Sequence, residues 1–207
     1  MAFIDNTYFV GEITIPDIAG LNSNATALTQ AIDQYEKEIL ISLLGYKLYS
    51  LLMADLDEDG KPQTEPYLSL VNGAEFDHVC DGETVLLKWN GLVNTDRQSL
   101  IAYYAYYKYV ERQTTHLSGV GTILPGSEKG GRVSPVNKMI NAWERMRELY
   151  GKLPPQTKRY YENYISCVAM YYPHDFNPSA YNYLLSNKES FPDWRFTPIC
   201  GINIFGI

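Results

Sequence analysis

Residue types that carry recognisable chemistry are scarce in this 207-residue chain, and each shortage closes off a class of function. No stretch approaches the roughly 18 consecutive apolar residues of a membrane-spanning helix. The opening MAFIDNTYFVGEITI has neither the basic region nor the long apolar run of a secretory signal. Cys80, Cys167 and Cys200 are odd in number and lack CxxC spacing. They read as small buried apolar side chains in a reducing compartment, not as a disulfide framework or zinc site. His78, His116 and His174 are too scattered for a HExxH motif or a cysteine–histidine cluster. Positive charge is short too: 17 Lys and Arg stand against 24 Asp and Glu, a net charge of −7. Without a basic stripe, tightly held nucleic acid is not expected, although an acidic wall suits a channel through which nucleic acid slides.

Catalytic signatures are missing as well. The chain has no GxSxG, no GxxxxGK[ST] and no GxGxxG following a strand. The run DLDEDG from Asp55 to Gly60 begins like a calcium-binding EF-hand loop. That loop needs a bidentate glutamate at its twelfth position, where this chain has Pro66; Glu65 falls one residue early, and Pro62 takes the eighth place. An acidic turn in water is the better reading. No catalytic constellation, metal site or cofactor is expected, so the protein is not read as an enzyme.

What is plentiful is tyrosine, 18 residues against 7 phenylalanines and 3 tryptophans. The segment SLIAYYAYYKYVERQTTHLSGVG, Ser99 to Gly121, packs five tyrosines into seven residues. On a helix over 95–117, Leu100, Tyr103, Tyr107, Val110, Thr114 and Leu117 form one stripe. Ile101, Tyr104 and Ala105 form a second, while Tyr106 and Tyr109 share the remaining side with Gln113 and His116. A helix so apolar all round is covered on most faces. One stripe is expected on the helix at 136–150, the other on the first helix. Tyr106 and Tyr109 are left for a subunit interface, because tyrosine suits surfaces buried part of the time. Base or sugar stacking is the weaker alternative, since only Lys108 and Arg112 accompany the rings.

Along the rest of the chain, Tyr8 to Ile15 reads as a short strand or extended arm ending at Pro16. A helix over 26–44 closes at Gly45, with Tyr46 folding back as its hydrophobic partner. A second helical piece, a polar turn over 55–66 and a short helix follow. Asp81-Gly82 between two strand-like runs signals a β-hairpin. Residues 118–134 hold five glycines and read as a long loop, where Lys129 and Arg132 put positive charge on a flexible segment, first of all a solvated loop and otherwise one that orders against a neighbour or faces a nucleic-acid channel. Helices are expected over 135–150, 156–172 and, capped by Asn177-Pro178, through Leu185; an apolar tail docks as a strand or extended segment. The fold class is mainly α, a helical bundle with a small β-hairpin and extended N- and C-terminal segments. A single domain spans 1–207, with its helical core at about 26–172 and a C-terminal extension from about 173.

Several segments in this order carry a resemblance: ISLLGYKLYSLL (Ile41–Leu52), the ending THLSGVGT (Thr115–Thr122), the glycine-rich loop, then SPVNKMINAWERM (Ser134–Met146). Together they resemble the head–tail connector, or head-completion adaptor, proteins of tailed bacteriophages and prophages, and this version is similar to those associated with Bacteroidetes hosts. FPDWRFTPICGINIFGI is similar to the ending of such chains. The resemblance implies a mostly helical virion adaptor, assembled in the bacterial host cytoplasm as a homo-oligomeric ring, a dodecamer, without a membrane partner. Its implied partners are the portal protein on one side and the tail or further connector proteins on the other, with double-stranded DNA passing through the lumen. The family brings no catalytic residues; Tyr106, Tyr109, Lys129 and Arg132 are interface candidates from the residues alone. The hairpin at 75–90 and the C-terminal elaborations depart from the family. Two other classes stay open: an aromatic-rich carbohydrate or peptide binding module, and a small hydrolase whose site lacks a familiar motif.

Overall fold

The computed structural model describes residues 2–16, 18, 23–80, 83–113, 116–118, 121–123, 135–151 and 178–199. Among these the chain is mainly α: α1 (Ser23–Leu44), α2 (Tyr46–Ala54), α3 (Tyr67–Asn72), α4 (Leu100–Gln113), α5 (Val136–Tyr150) and α6 (Ala180–Ser186). Two small antiparallel hairpins accompany them, β1 (Ala74–Cys80) with β2 (Glu83–Trp89), and β3 (His116–Ser118) with β4 (Gly121–Ile123). The expected helix over 156–172, the loop over 124–134 with Lys129 and Arg132, and the tail beyond Ile199 lie outside the described residues.

The tyrosine-rich segment is the hub. Every residue from Leu100 to Tyr107 is buried, and Tyr109 with them. Both expected packings occur, with α4 lying against α1 and against α5. Tyr104 meets Tyr35 of α1 edge-on at 6.1 Å, and Tyr107 lies 4.8 Å from Trp143 of α5. Burial of these rings at about 25 cal/mol per Å² is the main stabilising term of the fold. Among the described residues the Trp143 indole N–H meets no acceptor.

The boundaries of α4 differ from expectation at both ends. Asn94 exchanges two hydrogen bonds with the Gln98 backbone, and Arg97 adopts φ 56°, so 94–98 is a closed turn instead of a helical one. Ser99 then caps the helix by accepting the Ile101 N–H. At the far end the helix stops at Gln113, and His116–Ser118 pairs with Gly121–Ile123. Ser118 and Gly121–Ile123 are therefore paired strand residues, where a loop was expected.

The opening segment is likewise not a strand. It winds into two 3-10 turns at Asn6–Tyr8 and Gly11–Ile13, the first capped by Asp5, and buries Ile4, Tyr8, Phe9, Ile13 and Ile15. That burial does not alternate, and no strand lies beside it to favour an extended backbone. Helix α1 ends at Gly45 with a positive φ of 80°, as read, but Tyr46 stays 72% exposed instead of folding back on it. The partner comes from the C-terminal segment. Trp194 Nε1 donates to the Leu43 carbonyl, the Arg195 N–H to Leu44 and the Thr197 N–H to Ser42. Three last-turn carbonyls that a helix end leaves open are so satisfied. As far as Ile199, the tail is docked on α1 through these bonds, with a turn at 192–193 and no strand. Helix α6 is capped by Ser179, not by Asn177.

Candidate functional site

Of the residues singled out from sequence, Tyr106 and Tyr109 are 4% and 7% exposed. The chain itself covers them, which corrects their placement at a subunit contact: as they stand, neither ring offers a face to a second copy. Burial raises both hydroxyl pKa values above the usual tyrosine range. Tyr103 goes further, to about 12, through burial and then its hydrogen bond to the Glu12 carboxylate. The Tyr103 hydroxyl stays protonated and serves as a donor.

The acidic turn is closed on itself. Asp55 accepts from the Gln63 and Thr64 N–H groups and from the Thr64 hydroxyl, while Asp57 accepts from the Asp59 and Lys61 N–H groups. What burial Asp55 has would raise its pKa, but the Thr64 and Gln63 donors outweigh it and hold the carboxyl below its ordinary value. Both carboxylates staple their own loop. No group of three or more metal-ligating side chains occurs among the described residues.

One contact that no motif announced joins residues 108 positions apart. His78 Nδ1 lies 2.9 Å from Ser186 Oγ, at the end of α6. A histidine beside a serine is two-thirds of a hydrolytic triad. The next acid in sequence, Asp77, falls on the opposite face of β1 and so cannot orient this ring. The pair instead ties the hairpin to α6, and burial pushes the His78 pKa below its ordinary value.

The hairpin is the part of the molecule that looks outward. Its inner face sets Phe76, Leu87 and Trp89 against α6, where Tyr183 meets Phe76 at 5.3 Å and stacks on Trp89 at 5.7 Å. Its outer face carries Glu75, Asp77 and Val79 opposite Lys88, Leu86 and Thr84. Val79 is 66% exposed and Leu86 60%, diagonal neighbours on that face. The root of the hairpin is rigid. At Gly73 and Gly91, both with positive φ, an added Cβ would lie 2.5 Å from the Trp89 and Val71 carbonyl oxygens respectively. The Trp89 indole N–H donates to the Leu70 carbonyl, and the Val93 N–H to Val71. Beside this root opens a cleft of about 640 Å³, lined by Asn72, Glu75, Lys88, Asn90, Thr95 and Asp96 among others. It is polar, and Trp89 on its wall is too buried to serve as a stacking platform.

On α2, Tyr46 and Leu51 are exposed as well. No helix among the described residues is long and apolar enough to cross a membrane. No family profile, curated protein or solved structure matches the chain.

Proposed function

We propose that this protein is a virion structural component, a head–tail connector whose helices form a bundle and whose copies assemble into a ring between portal and tail. The observation that carries the reading is the division of apolar surface. The tyrosines of α4 are buried inside the chain, while among the described residues apolar side chains stay exposed at two unlike places, Val79 with Leu86 on the hairpin and Tyr46 and Leu51 on α2, besides single exposed Val10 and Leu185. A ring is built by heterologous contacts, each joining two different patches of neighbouring subunits, and a chain with two unlike patches meets that requirement. The acidic net charge suits a lumen that DNA crosses without sticking.

The test begins with the genes next to this one. Portal and capsid genes are expected there, and the neighbouring portal protein is expected to retain this chain in a co-purification. Charged substitutions at Val79 and Leu86 should abolish retention while leaving the circular dichroism spectrum unchanged. A neighbourhood without virion genes, together with no retention by any portal, overturns the proposal.

A further inference from the structure

Glu36 sits in the middle of α1, is only 5% exposed, and forms no ion pair with a lysine, arginine or histidine among the described residues. A carboxylate taken out of water without a cationic partner is costly, so its surroundings need a reason. Its hydrogen-bond partner is the backbone of the opening segment, with the amino terminus as the one cationic influence: the Phe3 N–H lies 3.0 Å from Oε1 and 2.9 Å from Oε2, with the Ile4 N–H adding support. Ile4 is buried beside it. Further along, the same segment is tied down separately. The Tyr8 hydroxyl donates to the Asn94 carbonyl, Arg97 donates to Thr7, and the Tyr103 hydroxyl donates to Glu12.

We propose that Glu36 is a proton-operated latch for the leading end of this segment, holding residues 2–4 on α1 while the carboxyl is neutral and releasing them when it ionises. The groups that face it are Asp33 on its own helix, the Tyr49 hydroxyl on α2 and the chain's amino terminus. Burial, reinforced by Asp33, favours the neutral acid; the Phe3 and Ile4 N–H groups and the amino terminus favour the anion, and burial prevails, setting the pKa at about 7. A neutral carboxyl still accepts the Phe3 N–H through its carbonyl oxygen. The anion needs water, and removing the backbone segment that covers it admits water.

The sign follows from proton linkage. With the closed form titrating near 7 and the open form near 4.5, the closed form holds an extra proton between those values. Opening therefore becomes easier as pH rises, by about thirtyfold between pH 5.5 and 8.5. Millisecond hydrogen exchange, each rate divided by the intrinsic rate at that pH, reads this directly. Protection of the Phe3 and Ile4 amides is expected to fall about thirtyfold in the native chain, whereas Ile13 and Thr14, beyond the Glu12 clip, keep theirs. In Glu36→Gln, a neutral side chain that still accepts the Phe3 N–H, the fall should vanish. Carbon-13 titration of the Glu36 carboxyl in the unaltered protein is an independent reading, expected to share its midpoint with the loss of protection. Flat protection in the native chain, a fall that survives Glu36→Gln, or a carboxyl midpoint in the ordinary glutamate range each overturns the latch.

Discussion

Helix α4 and the β1–β2 hairpin are both rich in aromatic and β-branched residues, yet they use them in opposite ways. On α4, eight consecutive residues from Leu100 to Tyr107 are buried, so the element has no free side. On the hairpin, alternation sends Phe76, Leu87 and Trp89 inward and leaves Val79 and Leu86 outside. Aromatic density therefore does not mark a binding surface in this chain. Tyrosines went to the interior because the hydroxyls of Tyr103 and Tyr104 find carboxylates at its edge, Glu12 and Glu38, and carry little desolvation cost there.

The contrast is broken most forcefully at its core. Trp143→Ala, which removes the ring beneath Tyr104 and Tyr107, should cost about 3–5 kcal/mol in urea unfolding. A loss below about 1 kcal/mol would mean that α4 and α5 are not the stabilising pair. Next comes the hairpin root, where Gly91→Ala forces a methyl against the Val71 carbonyl at positive φ. A loss of about 1–3 kcal/mol is expected, read as a lower denaturation midpoint at unchanged slope.

The two regions should also answer pH in opposite directions. His78, at the hairpin, has a folded pKa below its unfolded value, so the unfolded chain takes up the proton first. Its contribution is present above pH about 6.5 and is lost as pH falls toward the depressed folded value. Glu36, beneath the opening segment, has a folded pKa raised to about 7, so its contribution is greatest below the unfolded value and disappears as pH rises through 7. Urea midpoints measured from pH 4.5 to 9 should show His78→Phe removing a fall in stability as pH drops below about 6.5, and Glu36→Gln removing a fall in stability as pH rises from about 4.5 to 7; effects of the opposite sign would refute both. The smallest effect sharpens the comparison best. Leu86→Thr on the outer face should shift stability by no more than about 0.5 kcal/mol. A larger loss would show that the outer face packs against its own chain.

Much of the fold could be read from residue patterns where local chemistry decides. The all-round apolar character of α4 and the Asp81-Gly82 signal gave the right packing and the right hairpin. Errors arose where a distant partner decides. Gly45 looked like a self-contained helix stop, but its neighbour is Arg195, so Tyr46 was assigned a role that Trp194 fills. Tyr106 and Tyr109 were placed on a polar side partly because His116 shared it on the wheel. The helix ends at Gln113, so His116 belongs to β3 and that evidence dissolves. Neither the His78–Ser186 contact nor the burial of Glu36 has any local signature. Each depends on segments brought together by the fold, 108 and 33 residues apart.

The closure of α1 by Trp194, Arg195 and Thr197 has a consequence for synthesis on the ribosome. Trp194 is 151 residues downstream of the carbonyl it satisfies. At about 5–20 residues per second, roughly ten to thirty seconds separate the emergence of the first helix from that of its cap. During that interval the nascent chain holds a helix whose last turn is open to water or to another chain. The first helix is closed only after those 151 residues have been added, so its last turn is completed by chain made long after it.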